Sequence, residues 1–123
     1  MSYIDGFVMA VPTANREKFQ AHCETADSWF LENGATRVVE TWGADVPKGE
    51  TTDLIKAVAA TEEETVSFGW IEWPNKKTRD AAMAKMEGGE GIDERLDPEK
   101  NPMPFDGKRM IFGSFEAIYD QSA

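Results

Sequence analysis

Two stretches at opposite ends of this chain are apolar on both faces of an extended strand. In Tyr3–Val11, "YIDGFVMAV", Phe7, Met9 and Val11 share one parity, and Ile4, Val8 and Ala10 the other. Arg109–Tyr119, "RMIFGSFEAIY", has the same double-sided character. A strand apolar on both sides must be covered on both sides. That demand limits the folds open to the chain.

The remaining elements follow from punctuation and period. Pro12 ends the first strand, and Thr13–Asn15 offer side-chain oxygens for a helix N-cap. The spacing predicts a helix to about Asn33, with Phe19, Cys23, Ala26 and Phe30 inward, Glu17, Glu24, Ser28 and Leu31 opposite, and Gly34 as the left-handed stop. Ala35–Gly43 reads as a second strand, followed by a loop marked by Pro47 and Gly49. Leu54–Ala60 fits either a helical turn or a strand extension. Glu64–Trp73 is a third strand. Pro74-Asn75 opens a second helix to about Glu87, with Arg79, Ala82, Met83 and Met86 inward and Gly88-Gly89 as its stop. Residues 90–108 carry Pro98, Pro102 and Pro104 and read mostly as loop, long enough to suggest a flap or an arm.

The order β-α-β-β-α-β predicts an α+β, ferredoxin-like fold: a four-stranded antiparallel sheet with two helices on one face, in a single domain over 1–123. Two helices cover one face only. The second face therefore calls for another surface, most economically the sheet of a second copy. Burying ~1,000 Å² there would contribute on the order of 25 kcal/mol before the cost of association.

The residues that build these elements also carry a resemblance. "YIDGFVMAVPTANREKF", "VVETWGADVPKGETTD", "ETVSFGWIEWPNKKTRDA" and "MPFDGKRMIFGSFE" closely resemble the YbaA-like family of uncharacterised bacterial proteins. The resemblance spans nearly the whole chain. It implies the dimeric α/β-barrel superfamily, in which two ferredoxin-like subunits pair their sheets. That superfamily includes cofactor-free and haem-degrading monooxygenases, haem-dependent peroxidase-like enzymes and stress-response proteins, and its enzymes hold their pocket between helices and sheet. None of their catalytic motifs can be laid onto this chain residue by residue.

Charge narrows the partners. Thirteen Lys and Arg against 23 Asp and Glu give a net charge of −10. Such a surface repels phosphate backbones and anionic lipid, which argues against nucleic acid and membranes. A single cysteine, Cys23, permits no internal disulfide and suits a reducing, cytoplasmic setting. The N-terminus, interrupted by Asp5 and without a basic region, reads as neither signal peptide nor membrane span.

Few residues carry recognisable chemistry. His22 is the only histidine, which excludes multi-histidine metal sites; no metal is expected. It lies about 60° around the helix from Phe19, where it could move protons or simply pack beside Trp29. Cys23, on the inner stripe, reads as a buried small hydrophobe. Asp5, Glu40, Glu72 and Glu116 interrupt apolar strands and need a cation or a retained proton, with Arg37, Arg79, Arg109 and Lys56 as available partners. Glu72, in "GWIEWP", reads as structural, at the end of its strand. The weak candidates for proton transfer are thus His22, Asp5 and Glu72, and those for a planar hydrophobic ligand are Trp29, Trp42 and Trp70. Trp70 shares parity with Phe68 and Glu72, whereas Trp73 takes the other face. "GGEG", Gly88–Gly91, lacks the Lys-Ser/Thr of a phosphate loop, and no cofactor motif occurs. Three functions stay open: a structural or stress-associated dimer, a cofactor-independent oxygenase or isomerase, and a small-ligand binding protein.

Overall fold

The computed structural model describes residues 2–88 and 91–123. The chain runs β1 (Tyr3–Pro12), α1 (Arg16–Glu32), β2 (Arg37–Glu40), α2 (Leu54–Ala57), β3 (Glu64–Trp73), α3 (Lys76–Gly88) and β4 (Ile111–Glu116). The strands pair antiparallel in the order β2-β3-β1-β4. This is the ferredoxin-like α+β arrangement expected from the element order, with one short helix, α2, added.

Residues directly opposite in antiparallel strands share a face. The pairings Asp5↔Ile71, Phe7↔Gly69, Met9↔Ser67 and Glu40↔Gly69 put these side chains on the face that carries α1 and α3. There Trp29, Ala35, Ile71, Trp73 and Ala82 form one buried cluster, and Met9, Val11, Phe19 and Cys23 another. The buried stripe of α1 is Phe19, Cys23, Ala26 and Trp29, whereas Phe30 is half-buried at its edge. One step around the helix separates that stripe from the expected one, because Trp29 fills the space between β3 and α3. Its C-terminus closes as the sequence predicts: Gly34 sits at φ 108° and Ala35 N–H donates to Phe30 O at 3.0 Å.

Four expectations need correction. No side chain caps the N-terminus of α1, because Asn15 Nδ2 donates to Pro104 O and Thr13 bonds Thr65; a 3-10 turn, Thr13–Asn15, leads into the helix instead. β2 is shorter than Ala35–Gly43, although Thr41 and Gly43 still donate to Phe68 O and Val66 O. β4 is shorter than Arg109–Tyr119 and mostly exposed, because it is an edge strand. The second sheet face is partly covered by the chain itself. Val58, Ile55 and Ala60 pack on Val8, Ala10 and Val66, which settles Leu54–Ala60 as a helical turn with a packing role. The part of that face left open includes Phe68, Ile111 and Phe115, which are 46%, 44% and 60% exposed.

The 91–108 segment lies along α1 as a strap. Asn101 meets His22, Phe105 packs edge-on to Phe19 at 5.9 Å, and Arg95 bonds Ser28 and Glu32. The stop expected at Gly88–Gly91 falls on residues 89 and 90, outside the described residues. Among the described residues no helix is long and apolar enough to cross a membrane.

Candidate functional site

Between α1 and the edge strand β2 lies a cleft of about 570 Å³, a size suited to a small organic molecule. α1 contributes residues at spacings of three and four, including Arg16, Phe19, Cys23, Asp27 and Leu31. β2 and its continuation contribute Val38, Glu40, Thr41 and Trp42. The flank of α1 that reads as solvent-facing in the sequence, with Glu24, Ser28 and Leu31, is thus one wall of the cleft.

At its centre, one donor atom from each of Cys23, Asp27 and Glu40 lies within 4.8 Å of the others. Cys23 and Asp27 are one helical turn apart, and Glu40 points at them from the sheet. Glycine at position 69 makes this possible. A Cβ there would come within 2.3 Å of Glu40 Oε1 and 2.4 Å of the Phe7 ring, so the carboxyl and the ring occupy the space a side chain would need.

Glu40 Oε1 is sealed from solvent, and no described group donates to it. Two carboxyls this close oppose each other's ionisation, which favours a proton on one of them. Burial is the main cause that lifts both acids. It pushes Glu40 up to about 9, with Asp27's charge and hydrogen bond adding to the lift. Burial also raises Asp27, opposed by its hydrogen bond to Glu40 and by the field of His22. Glu40 therefore keeps its proton near neutral pH, as one of two neighbouring carboxyls does. Burial and the two acids push the Cys23 thiol far above its ordinary range, so it stays a neutral thiol and not a nucleophile. One sulfur and two carboxylate oxygens are also a possible set of cation ligands, but a metal would have to displace these protons.

The structure scatters the residues that sequence reasoning nominated. Asp5 is buried on the same sheet face but outside the cleft; it accepts from Trp73 Nε1 at 2.9 Å, Arg79 Nε at 3.1 Å and Ser114 Oγ at 2.5 Å. His22 lies beneath the strap, with Nδ1 3.0 Å from Asn101 Oδ1 and its ring edge-on to Phe105. Glu72 is on the opposite sheet face, where it accepts from Trp70 Nε1 at 2.8 Å and pairs with Arg37 at 3.6 Å. Trp29 is core, Trp70 belongs to the open face, and Trp42 lines the cleft. Asp27 is the residue that sequence reasoning missed. Its spacing of four from Cys23, and the inward parity that Glu40 shares with Val38, were the available signals.

Comparison with known proteins agrees with this architecture. The profile of the family described as "Protein of unknown function (DUF1428)" matches residues 2–107. The chain belongs to that family, the YbaA-like one. It is 48% identical over 121 residues to "Uncharacterized protein YbaA" of Escherichia coli (strain K12), covering 98% of this chain and 100% of that protein. The Shigella flexneri protein of the same name matches to the same extent. Among solved structures, one described as "Putative antibiotic biosynthesis monooxygenase from Nitrosomonas europaea" superposes with a TM-score of 0.54 at 12% identity, over 98% of this chain and 94% of that one. At that identity the likeness concerns the fold.

Proposed function

We propose that the cleft between α1 and β2 carries out cofactor-independent proton transfer on a small planar hydrophobic compound, as an isomerase does. The observation that carries this reading is the Asp27–Glu40 pair, two half-buried carboxyls facing each other at the centre of an open cleft. Its ionised member can take a proton from a carbon next to a carbonyl, while its protonated member donates to the carbonyl oxygen. Phe19 and Trp42 supply an aromatic wall for a flat substrate. A solidly packed interior would instead suit a purely structural dimer. The family and fold also suit a second reading, in which dioxygen captures the carbanion left by the same deprotonation.

The open sheet face supports a cytoplasmic homodimer that pairs Phe68, Ile111 and Phe115 with a second copy. Sedimentation at micromolar concentration tests the assembly, and a single chain there overturns it.

For the chemistry, 2-indanone and related aryl ketones are incubated in D2O and followed by proton NMR. Exchange above the buffer rate is expected, falling by about 100-fold or more in Glu40→Gln and in Asp27→Asn. Oxygen uptake in the same reactions would select the oxygenase branch. Exchange at the buffer rate for the whole panel, or at the wild-type rate in both variants, overturns the reading.

A further inference from the structure

Arginine pairing in this molecule has one exception. Arg37 pairs with Glu72, Arg79 with Asp5 and Asp80, Arg95 with Asp93 and Glu32, and Arg109 with Glu64 and Asp106. The fifth arginine, Arg16, holds no carboxylate among the described residues, in a chain with ten more acids than bases. It stands at one end of the cleft with its guanidinium carbon 5.6 Å from the centre of the Trp42 ring. The cation–π contact orients the plane and leaves the N–H fork free.

The cleft is polar along its length. Phe19 faces Trp42 near the start of α1, whereas Cys23 and Asp27 meet Glu40 further along. Trp42 and Glu40 are two residues apart on an extended segment, about 7 Å along the backbone, with Arg16 at the Trp42 end and the acid pair at the other. The cleft, about 570 Å³, has room for a flat body with an anionic group at the Arg16 end and the reacting carbon at the acid end.

We infer that Arg16 selects the ligand, so that the cleft takes planar aromatic carboxylates, bound through Arg16 with their rings against Phe19 and Trp42. This rests on the proton-transfer reading for its chemistry, but the anion preference stands on Arg16 alone. The chain's overall negative charge does not forbid such a ligand. At physiological ionic strength remote charges are screened beyond about 8 Å, whereas a guanidinium–carboxylate contact at an aromatic wall is not. Glu24, the third acid lining the cleft, accepts from Gln20 Nε2.

Calorimetric titration at pH 7 with 2-naphthoate and its neutral analogue 2-naphthamide tests the inference. In the wild type the carboxylate is expected to bind at least about ten-fold more tightly than the amide. Arg16→Gln, at an exposed position, is expected to fold normally and bring the two within about three-fold, whereas Arg16→Lys keeps part of the preference. Equal or better binding of the amide, no binding of either probe, or an unchanged ratio in Arg16→Gln overturns it. Glu40→Gln is expected to keep the naphthoate preference. If deuterium exchange fails while that preference holds, the acid–base chemistry falls and the anion site stands.

Discussion

Asp5 and Glu40 are both acids on strands, both on the sheet face that carries the helices, and their surroundings could hardly differ more. Asp5 receives three donors, one of them the Arg79 guanidinium, and ties β1 to β3, β4 and α3. Among the described residues Glu40 has no cation beside it, only another acid and a thiol, and burial lifts its carboxyl well above the ordinary range. A buried carboxyl with a full set of donors stabilises a fold, whereas one kept neutral in an open cleft adds little to stability. The contrast separates architecture from chemistry within one sheet.

The largest expected effect would come from removing the satisfied acid. Asp5→Ala strands Arg79, Trp73 Nε1 and Ser114, and is expected to cost about 3 kcal/mol in urea unfolding. A loss below about 1 kcal/mol would break the contrast from the structural side. Next comes Gly69→Ala, whose added carbon collides with Glu40 and the Phe7 ring. It is expected to cost about 2 kcal/mol and to abolish the pH response described below, because Glu40 must leave Asp27. Retention of both would show that the cleft floor has slack.

Glu40→Gln has the smallest effect on stability near pH 4.5 and the most informative sign. Unfolded, Glu40 ionises near its ordinary value of 4.5; folded, it holds its proton to about 9. The folded chain carries more protons between those values, so its stability falls as pH rises through that window. Glutamine has no proton to lose. The variant should match the wild type near pH 4.5 and exceed it by a margin that widens as pH rises toward 9, read from thermal melts across pH. A parallel pH dependence in both proteins would mean that Glu40 is ionised in the fold.

Much of the fold was legible before any coordinates. Double-sided strands, the apolar stripe of α1 and Gly34 mark elements by local rules that do not depend on what they pack against. Legibility failed where neighbours decide the outcome. The residues of β4 read as buried, yet their place at the sheet's edge exposes them. The segment at Leu54–Ala60 had no distinct period, yet it covers part of the second face. Of the four acids legible as intruders in strands, Asp5 and Glu72 are supplied with donors by the fold, whereas Glu40 meets another acid.

Which residues are apolar, how often they recur and where the chain must turn were written into the sequence, because backbone geometry converts residue order into strand and helix without reference to distant partners. The meeting of Asp27 with Glu40, the space left by Gly69 and the freedom of Arg16 were decided by tertiary structure alone. Proximity between side chains far apart in the chain arises only when α1 is laid across β2, and the withdrawal of water there changes the acidity of groups that would be ordinary in an open chain.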